Sequence, residues 1–473
     1  MLRGVVVTAA IVALVAVAAS SASGRVVRSY STRATLPLRT AVFDPFTLNG
    51  SQYATGFQLT RRAGAAYVRI DVPWNEVAPA RPAVPSDASD PNWTGYRWAF
   101  IDAKVKAAAE AGLKPYLQIG STPGWASSRS TTPRIPLLGQ FAKALALRYD
   151  GKHALPAVHV FQVWNEPNLS QDLNPVKAAV YRSMVNAVAA SVHAVSRSNL
   201  VVAGGLDPFG NKAKTWHSVS PLAYMRSLLC LSKGTHPHRT CKNRIHFDVW
   251  AHHPYSFNGP FGHATRADDV SLGDLPKMRT LLRSALKFHR IVPTHGVQFW
   301  VTEFSWDTKP PRRHAAPVGL AARWTAEALY QMWRSGVSLV TWFGLEDRGG
   351  KSPYQSGLFF HARKLAHARP KPVRTAFRFP FVAYLGKHTV SVWGRDATSD
   401  KQLVTIQRRH GSRGHWRTVA RVRSNGSGIF RAQLRLAATK KDQIRALAPG
   451  SGKSLAFSLT RPSPKLRYGP WGN

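Results

Sequence analysis

The chain has 473 residues and a hydrophobic fraction of 44%, which excludes an intrinsically disordered protein and leaves room for a large core and two domains. Its 65 Lys+Arg stand against 23 Asp+Glu, a formal charge of +42. That excess has two readings: a solvated basic surface, or attraction to a polyanion such as an acidic glycan or an anionic cell envelope. No zinc-finger spacing, RNP-type signature or heptad-backed basic region accompanies it, so no specific nucleic-acid binding is expected.

The first 23 residues read as a signal peptide. Arg3 supplies positive charge, Val5–Ala19 is an apolar run, and small residues follow at Ala19–Gly24. The run is short for a bilayer span, and no second membrane candidate follows. The expectation is a secreted protein with its signal removed.

Eight strand candidates come next. They are TAVFDPF from Thr40, AYVRIDVPW from Ala66, KPYLQIGS from Lys114, VHVFQVWNE from Val158, LVVAGGLDP from Leu200, FDVWAHHPY from Phe247, QFWVTEFSW from Gln298 and VSLVTWFGLE from Val337. Each is nearly continuous in apolar residues, as expected of strands covered on both faces. Helical stretches separate most of them. Phe100–Ala111 carries Ile101, Val105 and Ala108 on one face and ends at Gly112, a plausible cap. Pro175–Val195, Leu275–Ile291 and Val318–Ser335 follow the same pattern. This alternation predicts a (β/α)8 TIM barrel over residues 24–382. A doubly wound open sheet is the alternative, but no Gly-rich dinucleotide turn follows the first strand.

A helix near Pro370–Phe379 closes the barrel. Beyond it the texture changes to short strands: HTVSVWG, QLVTIQRR, WRTVARVR, GIFRAQLRL, DQIRALA and SLAFSL, divided by Gly, Ser and Asn. These predict a small all-β sandwich (Ig-like) domain over 385–462, followed by a basic tail at 463–473. From 401 to 473 there are sixteen Lys+Arg and one acid, Asp442. The sandwich is read either as a stabiliser of the barrel or as an adhesive for anionic polymer. Cys230 and Cys241, the two cysteines, flank a small basic loop and are expected to pair in an exported protein. They offer too few ligands for a metal site.

The chain holds six glutamates: Glu76, Glu110, Glu166, Glu303, Glu327 and Glu346. Barrel active sites lie at the C-terminal ends of the strands, which sorts them. Glu110 and Glu327 fall inside helices and are expected to be solvated. Glu346, with Asp347, falls just past the eighth strand and is assigned to a solvated rim. Glu166 ends the fourth strand, in VWNEPN, and Glu303 ends the seventh. Two carboxylates across one barrel mouth suit glycosidic cleavage, in which one is protonated and donates to the leaving oxygen while the other is ionised. His252 and His253 are adjacent, so they point opposite ways and one of them reaches toward substrate; a metal pair is not expected. Trp74, Trp125, Trp164 and Trp306 lie near strand ends, where aromatic faces can stack on sugars.

VWNEPN at Val163–Asn168, with WVTEFSW at Trp300–Trp306, resembles the clan A retaining glycoside hydrolases. The Thr-Glu lies 137 positions beyond the Asn-Glu. Within that clan the chain is similar to the xylosidase/iduronidase family and to cellulase-like actinobacterial members. The resemblance spans about Thr40 to Phe381. It implies that Glu166 is the acid/base and Glu303 the nucleophile. It further implies that Asn165 hydrogen-bonds a sugar hydroxyl and that Arg69 orients the nucleophile and keeps it ionised. Tyr255 would hydrogen-bond the nucleophile, and Trp342 would floor the sugar subsite. His253 and Trp125 complete the expected substrate-binding set. No metal or organic cofactor is expected, and a monomer is. The sugar, the linkage and endo or exo action stay open. A catalytically silent wall- or polyanion-binding protein, acting through its basic surface, is the competing reading.

Overall fold

The computed structural model describes residues 27–33, 36–129, 131–152, 154–213, 215–350, 352–398, 401–462 and 468. The expected signal segment, and the basic tail apart from Tyr468, lie outside them. Eight parallel strands close into a barrel in chain order: β1 (Arg39–Phe43), β2 (Tyr67–Pro73), β3 (Lys114–Gly120), β4 (Val160–Val163), β5 (Leu200–Leu206), β6 (Val249–His252), β7 (Gln298–Phe304) and β8 (Leu339–Phe343). All eight expected strands are present, which settles the barrel against the open sheet.

Between them run α1 (Tyr53–Arg62), α2 (Ala99–Glu110), α3 (Ile135–Arg148), α4 (Ala178–Val195), α5 (Pro221–Leu229), α6 (Leu275–Lys287) and α7 (Val318–Arg334), with α8 (Pro372–Arg378) after β8. Gly112 follows α2 at φ +73°, the left-handed conformation that lets the chain turn directly into β3. Among the described residues no helix is long and apolar enough to cross a membrane.

Two apolar layers result from strand alternation. Ala41, Tyr116, Val160, Val202, Val249, Ala251, Trp300 and Leu339 fill the barrel interior. Intervening residues such as Val68, Ile70, Leu117, Ile119 and Val340 face the helices. Continuous hydrophobic runs in the sequence are the consequence, since each strand is covered on both sides.

The second domain has two sheets. One holds β9 (Phe381–Leu385), β10 (Thr389–Arg395) and β13 (Ile429–Arg435); the other holds β11 (Leu403–His410), β12 (Arg417–Arg423) and β14 (Asp442–Ala448). Two boundaries differ from expectation. The sandwich begins at Phe381, with β9 paired to β10. Arg28–Ser31, assigned to the barrel by its position in the chain, pairs in parallel with β12. A strand as short as these carries no signal for which distant sheet it will join.

Glu327 is also not solvated. It is 3% exposed, because α7 packs beneath the sandwich, and it accepts from Arg323 at 3.2 Å. Burial pushes its carboxyl up to about 7. The helix period marks a face but not what covers it. Asp347 likewise leaves the rim for a buried pair with Lys371 Nζ at 2.8 Å, and Glu346 accepts from the Ala362 N–H at 2.6 Å. Cys230 and Cys241 are disulfide-bonded, as expected.

Aromatic rings and one arginine join the domains. Trp393 of β10 packs on Tyr330 and Trp333 of α7, with ring centroids 5.3 and 5.5 Å away. Arg395, 3% exposed, donates to Thr40 Oγ1 at 3.0 Å and to the Leu38 and Gly64 carbonyls at 3.4 Å. Those carbonyls lie at the N-terminal, closed end of β1 and β2. Arg395→Ala strands these acceptors and leaves a cavity, so it is expected to cost about 2–4 kcal/mol. Calorimetry should show Tm lower by several degrees, with kcat/KM of the folded protein unchanged.

Candidate active site

A cavity of about 1200 Å³ opens at the C-terminal end of the barrel strands, on the side of β1 to β4. Phe43, Arg69, Asp71, Gln118, Trp164, Asn165, Asp172 and Glu303 line it, with Glu76 and Lys104 further out. No residue of the sandwich does.

Its base is Arg69. The alternation of β2 turns Tyr67, Arg69 and Asp71 inward while Val68, Ile70 and Val72 pack outward. The guanidinium is 2% exposed. It donates through Nε to Asp71 Oδ1 at 2.8 Å, and through Nη2 to Gln118 Oε1 at 2.6 Å and Asn165 Oδ1 at 3.0 Å. Its Nη1 lies 3.5 Å from Glu303 Oε2. The Phe43 ring sits 3.9 Å beneath its Cζ. One planar fork thus serves four partners at fixed angles, which an ammonium could not do.

Glu303 reaches the mouth because β7 is irregular. Its pairing with β8 shifts register between Val301 and Phe304. Thr302 bonds His253 in the interior, Phe304 packs outward beside Trp342, and Glu303 is re-aimed to the mouth. Tyr255 donates its hydroxyl to Glu303 Oε1 at 2.8 Å. Arg69 faces the other oxygen, so each carboxylate oxygen meets a donor.

Glu166 sits in a different environment. The chain turns sharply after β4, with Trp164 at φ +67° and Glu166 at φ +33°, conformations that side-chain-bearing residues rarely adopt. Surrounding bonds enforce the turn. The Glu166 N–H donates to the Gly205 carbonyl at 3.1 Å, and the Trp164 indole to the Asp172 carbonyl at 2.8 Å. Buried Asn168 donates to the Asp207 and Val219 carbonyls and accepts from the Asp207 N–H, each at 2.9 Å. Gly205, at φ +62°, is a strained position for any residue with a Cβ, which would also stand only 3.0 and 3.3 Å from Gln162 and His253. Glu166 Oε1 meets His253 Nδ1 at 2.8 Å. His253 is itself buried, which drives its pKa down to about 4 and leaves it neutral. Burial first, and the nearby negative Glu303 second, push the Glu166 carboxyl well above the usual range.

Among the described residues, Glu166, His253 and Glu303 form the one group of possible metal ligands, with an atom from each within 4.8 Å of the others. Two of those atoms already share a hydrogen bond. The close approach of the carboxylates is the chemically decisive quantity. It falls near the separation of about 5–5.5 Å found in retaining glycosidases and short of the roughly 6.5–9.5 Å that admits a water between them.

Six of the eight sequence candidates converge here: Glu166, Glu303, Asn165, Arg69, Tyr255 and His253. Two do not. The Trp342 ring points outward from β8, packs on Phe304 and Phe377, and donates to the Ser356 carbonyl. Trp125 packs edge-on against Trp74 and donates to the Ala78 carbonyl. Of the six, Arg69, Asn165 and Glu303 line the cavity, Tyr255 joins them through its bond to Glu303, and Glu166 and His253 through the close group they form with Glu303. Of the clustered tryptophans Trp164 lines the cavity, while Trp74 and Trp306 are fully buried core residues. His252 faces away, bonded to the Val270 carbonyl.

Sequence reasoning missed Gln118, Asn168 and Asp172. Gln118 was the legible one, a lone amide within an apolar strand. Asp172 lies in the loop after β4, accepts from the Asn165 side chain, and is raised to about 7, chiefly by burial.

A family model described as cellulase (glycosyl hydrolase family 5) matches residues 28–332, more than half of the chain. No curated protein sequence matches. Several solved structures share the fold. A family 39 glycoside hydrolase from Bacteroides cellulosilyticus WH2 is 16% identical, with a TM-score of 0.51 over 87% of this chain and 81% of that one. A family 39 enzyme from Xanthomonas axonopodis pv. citri is 15% identical, with a TM-score of 0.51 over 89% and 97%. A monomeric beta-xylosidase from Caulobacter crescentus CB15 is 15% identical, with a TM-score of 0.51 over 88% and 98%. At such identities the likeness is one of fold. With the family match covering the barrel and two carboxylates meeting at its open end, the chain belongs to the cellulase family of glycosyl hydrolases, family 5, and is a glycosidase.

Proposed function

We propose that the protein is an exported retaining glycosidase in which Glu303 is the nucleophile and Glu166 the acid/base, acting on a neutral glycan. The close approach of two carboxylates in opposite environments carries this reading. Glu303 accepts from a phenol and faces a guanidinium. Glu166 faces burial and a negative partner, both of which favour the acid.

In the first step Glu166 gives its proton to the glycosidic oxygen as Glu303 attacks the anomeric carbon. The C–O bond to the leaving group breaks and a glycosyl ester forms on Glu303. In the second step Glu166, now a carboxylate, takes a proton from water, which displaces Glu303. Arg69 fixes Asn165 through its Oδ1 and so turns the amide N–H groups toward Asp172 and the cavity. That leaves them placed for a sugar hydroxyl, an interaction that tightens as the oxocarbenium ion forms.

A neutral substrate follows from the lining. Asp71, Glu76, Asp172 and Glu303 outnumber Arg69 and Lys104, so the cleft does not complement an acidic sugar, whatever the charge of the whole molecule. The apolar N-terminal run and the disulfide support export to an oxidising compartment.

Incubation with a panel of 2-fluoro-sugar inactivators should place the covalent label on Glu303, read by peptide mass mapping. A label elsewhere, with Glu303→Gln still active, would sink the assignment. Glu166→Gln should lower kcat on glycosides with poor leaving groups by about 10²–10⁴-fold.

The pH profile gives a separate check. Only protonated Glu166 can act in the first step, so activity is complete below its raised pKa and is lost as pH rises through it. That alkaline fall should vanish in Glu166→Gln; if it survives, the proton belongs to another group, Asp172 being next. Arg69→Lys keeps the charge but not the fork, and should reduce kcat of the folded protein by about 10²–10³-fold, with Tm lowered as well because the ammonium leaves buried partners unmet.

A further inference from the structure

The second domain has a surface that the catalytic reading does not use. On the sheet of β11, β12 and β14, one face is apolar: Val404, Ile406, Ala420, Val422, Ile444 and Ala446 are all buried. Cross-strand register places the opposite set on the outer face. Arg423 lies opposite Leu403, Arg421 opposite Thr405, Arg445 opposite Gln407, and Gln443 opposite Arg409. Lys453, opposite Leu447, extends the row. Arg421, Arg423 and Lys453 are exposed, and Arg409 and Arg445 half-exposed. The one acid between 401 and 462, Asp442, is fully buried and taken by Arg408 and His410.

Two of these arginines are held in an unusual way. Arg409 donates through Nε and Nη2 to Gln443 Oε1, at 2.9 and 2.7 Å. Arg445 donates through Nε to Gln407 Oε1 at 2.9 Å. Both guanidinium groups lie over the Trp416 ring, with Cζ 4.7 and 4.1 Å from its centroid. An arginine fixed for structural reasons is ordinarily fixed by a carboxylate, which cancels its charge. Amides and an indole fix these two and leave the charge intact. Two cations are thereby held side by side with their remaining N–H groups uncommitted to an acid. Proximity of Arg409 adds to burial in depressing the Arg445 guanidinium, and an anion seated between them would relieve that repulsion.

We propose that this face binds an anionic polysaccharide. Planar guanidinium forks match carboxylate and sulfate oxygens in pairs. Arg421 and Arg423 stand two residues apart on one strand, roughly 6.8 Å, and Arg409 and Arg445 are diagonal neighbours across β11 and β14, about 7–8 Å apart, so the face presents closely spaced cations to a polymer of regularly repeated acids. A glycan is favoured over nucleic acid because the chain is a glycosidase and gains by staying on a matrix in which its neutral substrate is embedded. The acid-lined cleft and the acid-free sheet then have different ligands.

Binding needs no turnover, so it is tested apart from the roles of Glu166 and Glu303. The full chain would be titrated with polygalacturonate, neutral dextran and single-stranded DNA at about 0.15 M salt. Polygalacturonate should be bound and dextran not. Arg409→Gln/Arg445→Gln, and independently Arg421→Gln/Arg423→Gln, should weaken binding by about tenfold or more. A control that removes the same charge from exposed helix positions, Lys106→Gln/Lys143→Gln, should stay within about twofold of wild type. Three outcomes overturn the proposal: no binding to polygalacturonate, an equal loss in the control, or tighter binding to DNA lost through the same arginines.

Discussion

The site depends on the burial of one guanidinium at the open end of the barrel. Arg69 is sealed between Phe43 and the interior layer, and only its four polar neighbours replace the water it gave up. Taking such a charge out of water costs several kcal/mol unless its donors are met. Asp71, Gln118, Asn165 and Glu303 meet them. They come from β2, β3, the turn after β4 and β7, so the fork measures the distance across half the barrel mouth. Moving any strand end would leave a charge unpaired in a dry site. The placement of Glu303 and Asn165 is therefore tied to satisfying Arg69.

Local strain on the β4 side complements this. Two non-glycine residues within the VWNEPN segment occupy the left-handed region, each at a cost of order 1–3 kcal/mol. Asn168, the Trp164 indole and the approach allowed by Gly205 hold them there. The result is an acid aimed across the mouth at Glu303, backed by an imidazole kept neutral by burial. One carboxylate is given two donors and the other is given desolvation.

Charge is distributed as unevenly as strain. The molecule carries +42 overall, yet four carboxylates and two cations line its main cavity. Long basic side chains mostly stay at the surface because their heads remain hydrated, while several of the scarce acids are gathered in the cavity or in buried pairs such as Asp347 with Lys371. Net charge thus speaks to what the exterior meets, and the cleft follows its own chemistry. The basic excess of the whole chain hints at an acidic glycan, while the cavity lining is itself rich in carboxylates.

The barrel was legible because eight apolar runs of strand length alternate with helical periods, and burial on both faces of a parallel strand leaves that pattern and few others. Glu166 and Glu303 were legible because strand ends become the barrel mouth, and His253 because one of two adjacent histidines there must face inward; Asn165, Arg69 and Tyr255 came from the resemblance that the Asn-Glu and Thr-Glu motifs carry. Trp342 was misplaced because alternation tells which strand residues differ in direction but not which set faces inward, and Trp125 because it sits in a short turn after β3, where no period marks a direction. Asn168, Asp172 and the burial of Glu327 under the sandwich left no mark in the sequence. Their partners are distant in the chain, and only closure of the barrel and docking of the second domain bring them together. What the residues determined by themselves was periodicity, hence elements and fold class. Which side chains share one cavity, and which charges lose their water, are properties of distances between strands, and those exist only once the chain has closed on itself.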